Sequence, residues 1–342
     1  MRQQQKRVVF RFIASLLVMA GAGLAQGATL GDVRGKDYLD CGVSTGIPGF
    51  SNPDSQGRWS GLDVDVCRAV AAAVLGDADK VRYTPLTPSD RFNALSSGEV
   101  DLLSRNTTWT HSRDTTMGMI FAGIAFYDGQ GFMVTRSSGL TSASELNGAA
   151  VCIQSGTTSE LNLADYFREH NMKYQPVAFT TSDQTLEGFQ AGRCNVLSSD
   201  LSQLYAQRTR LKDRDSVRIL PEVISKEPLG PAVRQGDMQW YNIVKWTLYA
   251  MVNAEEYGVN QSNVDDMRAS DKPVIQRMLG VNGDTGRAMG LSADWAYQII
   301  KQVGNYGEVF ERNVGQDSEL GFDRGLNELW SRGGILYAPP LR

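Results

Sequence analysis

Hydrophobic positions along this chain switch between two periods. Short β-rich runs, Cys41-Gly-Val-Ser and Val81 to Leu86 among them, alternate with segments whose apolar residues recur three or four apart. Leu62 to Leu75 carries such residues at 62, 66, 69, 70, 73 and 74, which predicts a helix; Ser60 followed by Asp63 predicts a capping box at its start. Phe92 to Ser97 reads as a shorter helix stopped by Gly98. IQSGTTSELNLADYF, residues 153 to 167, reads as strand, glycine turn and helix. Alternation of this kind predicts βα units around mostly parallel sheets, an α/β fold.

One phrase is written twice. FNALSSGEVDLLS begins at Phe92 and LEGFQAGRCNVLS at Leu186. In each, apolar residues three apart lead to a glycine, then to Asp101 or Asn195, two apolar residues and a serine. Two residues past that serine stand Asn106 and Asp200, on the same strand face by the period of two. Either a generic module recurs by chance, or two similar lobes each present polar groups beyond a strand's carboxyl end, where open α/β sheets bind ligands.

RNTTWTHSRD, residues 105 to 114, is the strand-end segment of the first unit, and Ser198-Ser-Asp200 is its counterpart in the second. A loop is often this polar for solubility alone; a ligand site needs the same groups at the end of something rigid. Arginine, here Arg113, forks onto a carboxylate with two parallel hydrogen bonds. Asp200 suits an ammonium, Thr108 and Thr110 add hydroxyls, and Ser155-Gly-Thr157-Thr aims backbone N–H groups and a helix start at an anion. Together these groups complement a zwitterionic amino acid, although each alone is commonly structural.

The first residues set the compartment. MRQQQKRVVFR is positive, FIASLLVMAGAGLA is apolar and AQGA is small, the order of a secretory signal peptide. Removing residues 1–27 takes away Arg2, Lys6, Arg7 and Arg11 and no acid, so the formal charge moves from −4 to −8. Such an acidic exported chain is a poor partner for nucleic acid or anionic membranes. Four cysteines in an oxidising compartment suggest disulfides, with three connectivities open. There is no CxxC pair, and the two histidines, His111 and His170, lie far from any cysteine in sequence, so no metal site is expected.

WSGLDVDVCRAVA resembles the signature of the periplasmic solute-binding proteins of polar amino acid ABC transporters. NTTWTHSR, QSGTTSE and GRCNVLSSD resemble further motifs of that family, in family order across most of the chain. The cysteines and the long C-terminal segment resemble the subgroup of general L-amino acid-binding proteins that take glutamate, glutamine, aspartate and asparagine. The resemblance implies a type II two-lobed α/β fold with two crossing hinge segments. It implies a signal peptide at 1–27, a first lobe over 28–134, a second over 135–228, and a return to the first with a helix-rich extension over 229–342. Trp240, Trp246, Trp295 and Trp330 in that extension are expected to pack rather than bind.

Carried over residue by residue, the resemblance places Arg113 and the backbone at Thr157 on the ligand's α-carboxylate. It places Asn106, Thr108 and Asp200 on the α-ammonium, with Thr110 as a further hydroxyl. Phe50 corresponds to an aromatic covering the ligand, and Arg91 to an arginine that meets the distal oxygen of its side chain. Gln154 stands where many relatives carry lysine. One disulfide within each lobe, Cys41–Cys67 and Cys152–Cys194, is expected. The implied protein is a periplasmic monomer that hands an L-amino acid to an inner-membrane ABC permease complex, with no cofactor and no catalysis. The rival is an exported lyase on the same fold, similar to cyclohexadienyl dehydratase, for which His111 and His170 are the candidate acid–base groups. A sensing domain would need a membrane anchor after the signal.

Overall fold

The computed structural model describes residues 28–342; the expected signal peptide lies outside them. The chain forms two five-stranded sheets with the same plan. In the first, the strands run in the order Val81–Pro85, Leu39–Val43, Leu102–Leu103, Ala232–Arg234, Met119–Phe121. In the second the order is Tyr174–Phe179, Ala149–Gln154, Val196–Asp200, Gln130–Thr135, Val217–Ile219. Each sheet begins with three parallel strands and ends with antiparallel pairings. The repeated phrase supplies the third strand of each. Helices Arg91–Ser97 and Ser182–Gln190 end near Gly98 and Gly192, both with positive φ (83° and 71°), a conformation that glycine adopts without steric cost.

The lobe boundary expected at residue 134 is corrected. Gln130–Thr135 belongs to the second sheet, with Val134 opposite Val196 and Thr135 opposite Val217. The chain crosses earlier, at Phe126–Asp128, and returns at Glu227–Leu229; the two strands pair antiparallel, with Asp128 opposite Glu227. The expected return at 228 therefore falls inside this hinge ribbon. The apolar run around Phe132 suits either sheet, so hydrophobicity does not mark the crossing; pairing does.

Both faces of the second sheet are buried, as parallel strands under helices require. Val151 and Ile153 pack with Leu163 and Phe167 on one face, while Cys152 and Leu197 pack with Leu186 and Phe189 on the other. The first lobe shares its core with the C-terminal segment. Helix Met238–Glu256 buries Trp240, whose Nε1 donates to the Asp101 carbonyl at 2.9 Å. Trp295 is also buried and Trp246 packs at the core's edge, but Trp330 is half exposed and meets Tyr337 edge-on, so the packing role expected of it holds only in part. Disulfides join Cys41 to Cys67 and Cys152 to Cys194, one in each lobe. No helix of the described residues is long and apolar enough to cross a membrane.

The capping box expected at Ser60 and Asp63 is absent. Helix Leu62–Leu75 starts after Gly61, whose φ is 129°, and a Cβ there would lie 2.1 Å from the Phe50 carbonyl oxygen. Asp63 instead turns inward, where its Oδ2 accepts the Asn106 N–H at 2.8 Å. That bond ties the first helix to the polar segment beyond the third strand.

Candidate ligand-binding site

The polar segment after Leu103 leaves the sheet through Asn106, a non-glycine residue at φ 33°. Left-handed backbone at such a residue costs energy and persists where neighbours enforce it. Here the enforcing neighbour is the buried Asp63 carboxylate. Asn106 and Thr108 then face Thr157, Thr158 and Asp200 of the second lobe across a narrow cavity of about 20 Å³.

Each second-lobe group is placed by an element's end. Thr157 caps helix Thr158–Glu169: its hydroxyl accepts the Glu160 N–H at 3.3 Å and donates to the Gln154 carbonyl at 2.7 Å. Gln154 also lines the cavity and is fastened by its Nε2 to the Thr180 carbonyl at 3.1 Å. Asp200 ends its strand at the start of helix Leu201–Thr209, where its Oδ1 accepts the Ser159 hydroxyl at 3.4 Å. Burial, then the nearby Asp128 and Glu227, hold the Asp200 carboxyl well above the usual aspartate range.

The first lobe supplies cations. Arg91, Arg105 and Arg113 are all buried, and their hydrogen bonds go to neutral acceptors. Arg91 Nη1 donates to Thr107 Oγ1 at 3.2 Å, Arg105 Nε to the Leu86 carbonyl at 2.8 Å, and Arg113 Nη1 to the Thr108 carbonyl at 2.8 Å. The Arg91 Nε has no partner among the described residues. Phe92 lies between two of them, its ring 4.7 Å from the Arg91 guanidinium and 5.2 Å from that of Arg113. Burial, with repulsion from Arg105 and Arg113, lowers the Arg91 pKa well below its ordinary value, and burial brings Arg105 down to about 10. A buried cation without a counter-charge is costly. Asp63, Asp200 and Glu227 offset part of that cost from nearby, but none is hydrogen-bonded to a guanidinium, so the cluster keeps donors for an anion's oxygens.

Five of the expected residues therefore line the cavity: Arg91, Asn106, Thr108, Thr157 and Asp200. Arg113 stands one layer behind, holding Thr108. Thr110 is corrected to a capping role: its hydroxyl accepts the Arg113 N–H at 3.3 Å and starts the short helix His111–Thr116. Phe50 is corrected to a core residue, 1% exposed and edge-on to Phe126 at 5.3 Å. An aromatic's hydrophobicity reads the same in sequence whether it covers a ligand or a sheet.

The sequence reading missed Arg105, Gln203 and Glu227. Arg105 adjoins Asn106, and Gln203 lies about one helical turn past Asp200, so proximity to the motifs was a usable signal for both; Glu227 carried none. It also passed over Gly42-Val-Ser44-Thr-Gly46, which has the spacing of a nucleophile elbow. Ser44 is fully buried and bonds Ser51 Oγ at 2.7 Å, while both histidines are exposed.

A small polar cavity between two like lobes on a two-stranded hinge is the architecture of a bilobal solute-binding protein. The chain belongs to the bacterial extracellular solute-binding proteins, family 3, whose pattern matches residues 39–262. It is 56% identical over 332 residues to the general L-amino acid-binding periplasmic protein of Rhizobium johnstonii, covering 96% of this chain and 97% of that one. It is 50% identical over 339 residues to the glutamate/glutamine/aspartate/asparagine-binding protein of Rhodobacter capsulatus, covering 99% and 100%. Among solved structures, an ABC transporter periplasmic binding protein from Brucella ovis with glutathione bound superposes with a TM-score of 0.90 at 53% identity, over 92% of this chain and 99% of that one.

Proposed function

We propose that this protein binds L-amino acids in the periplasm, foremost those ending in a carboxylate or carboxamide, and delivers them to an ABC permease. The observation that carries this reading is that the one carboxylate lining the cavity, Asp200, lies beside three buried guanidiniums whose hydrogen bonds go only to neutral acceptors. A zwitterion neutralises Asp200 and one arginine, and a second acidic or amide oxygen serves the others. In this reading the Thr157 backbone takes the α-carboxylate, joined by Arg113 once its guanidinium turns from the Thr108 carbonyl into the opened cleft; Asn106, Thr108 and Asp200 take the ammonium, and Arg91 with Arg105 takes the distal oxygen. The cavity of about 20 Å³ admits little more than one water, so uptake requires the lobes to part about the ribbon.

The names of the relatives support the ligand class: general L-amino acids for one, and glutamate, glutamine, aspartate and asparagine for the other. The Brucella neighbour adds a second reading, because glutathione presents a glutamate head with a further carboxylate beyond it. Titration calorimetry with glutamate, glutamine, aspartate, asparagine, leucine and glutathione tests both. Tightest binding of leucine would overturn the acidic and amide preference. Release without chemistry fits the exposed His111 and His170, and mass spectrometry of recovered ligand checks that it is unaltered.

A further inference from the structure

Glu227 does not line the cavity, yet its carboxylate gathers hydroxyls from both lobes. It is 1% exposed and lies on the returning hinge strand. Its Oε2 accepts the Thr108 hydroxyl of the first lobe at 2.6 Å and the Thr158 hydroxyl of the second at 2.9 Å. Its Oε1 accepts Asn162 Nδ2 at 2.7 Å and the Ser225 hydroxyl at 2.6 Å. The two threonine oxygens are 3.2 Å apart, a distance that exists only with the lobes together.

We propose that Glu227 is a positioning residue that couples closure to ligand recognition. Two effects follow from one carboxylate. A hydroxyl has a single proton, and Thr108 and Thr158 each spend theirs on Glu227, which leaves lone pairs to face the cavity. The cavity wall is thereby set to accept hydrogen bonds from a cationic group, and for the ammonium this rests on the ligand reading above. Independently of any ligand, the shared oxygen holds the lobes to the hinge, since charge-assisted bonds to an ionised acceptor are about twice as strong as neutral ones.

The variant Glu227→Gln tests this, because an amide nitrogen turned toward Thr108 or Asn162 donates where the carboxylate accepts. L-Glutamate should dissociate about tenfold faster from the variant, the loss of one bond to a charged group. Single-molecule FRET between labels on the two lobes should show a smaller closed population, with and without L-glutamate. Asn162→Ala, which does not touch the cavity, should speed release by about threefold. Its effect should shrink when combined with Glu227→Gln, because both act on one carboxylate. Wild-type dissociation and lobe distances in Glu227→Gln, or additive effects of the two changes, would overturn the proposal. If the wild type binds no glutamate, the ligand reading fails while the ligand-free FRET distribution still decides the coupling. Should the amide variant not fold, Glu227→Asp, too short to reach both lobes, should show the same losses, and wild-type behaviour there overturns the proposal equally.

Discussion

Gly156 and Ser89 meet across the cleft: a Cβ on Gly156 would lie 2.8 Å from Ser89 Oγ. Gly156 also has φ 76°, so alanine there is strained in any arrangement of the lobes. The two costs separate cleanly. Backbone strain lowers the melting temperature of the ligand-free protein, whereas the clash arises only on closure. Gly156→Ala should therefore weaken L-glutamate binding by roughly tenfold, about 1.4 kcal/mol, and calorimetry beside a thermal melt reads both effects. Unchanged affinity would mean that the Ser89 side of the cleft gives way.

Asp200→Asn and Arg113→Ala should each nearly abolish amino acid binding with the fold intact. Stranding one charge of a buried pair costs about 3–5 kcal/mol. Circular dichroism establishes the fold and titration calorimetry the loss. Near-normal isotherms for either variant would put the zwitterion elsewhere.

Arg91→Ala should separate ligands by their side chains. Glutamate and aspartate are expected to lose far more affinity than alanine or leucine if, as proposed, the Arg91 guanidinium on the cavity wall takes the distal oxygen. An equal loss for all ligands, or none, returns Arg91 to a structural role.

Stability of the ligand-free protein should fall as pH rises from about 4 to about 7. Burial, the largest cause, pushes Asp63 and Asp128 from the ordinary 3.8 up to about 7. Between those values the folded state holds protons that the unfolded state has lost, so raising pH favours unfolding. Carboxylates held low, such as Asp265 and Glu145, act in the opposite sense but only in more acidic solution. Melts at pH 5 and pH 8 should therefore differ in favour of pH 5. Asp63→Asn, which keeps an acceptor for the Asn106 N–H, should shrink the difference and leave the part due to Asp128. A higher melting temperature at pH 8 would contradict the assignment.

Replacing Cys152 and Cys194 by alanine should lower stability by about 3–4 kcal/mol in the chain-entropy picture, for a bridge spanning 42 residues. Affinity should hold, since neither cysteine lines the cavity. Denaturant melts with calorimetry check the pair, and a large loss of affinity would tie the bridge to the site.

Much of this architecture was legible because it rests on local signals. The twice-written phrase marked both third strands, and the glycines after its helices do stop them. The motifs around Asn106 and Asp200 converge on one cavity. What was not legible depends on partners far along the chain. Thr108 and Glu227 are 119 residues apart, and nothing in the period of either segment joins them. The crossing at Phe126–Asp128 was marked only by the short Asp128-Gly-Gln-Gly131 break, which reads equally well as a turn within one lobe; the pairing of Val134 with Val196 is what assigns the following strand to the second sheet. Asp63 has the spacing of a cap, but its carboxylate found a stronger use on Asn106.

The two sheets differ in how the chain completes them, and an exported protein emerges amino terminus first. The second sheet is drawn from one unbroken stretch, residues 130–219. The first must wait for Ala232–Arg234, and the hinge for Asn327, whose amide bonds the Tyr127 N–H at 2.7 Å and the Tyr127 carbonyl at 3.1 Å from 200 residues downstream. During translocation the lobe that carries Asp200 can mature while the lobe that carries Arg113 still lacks a strand. The first lobe is finished last, so a chain caught midway through export holds one wall of the cavity and no working hinge.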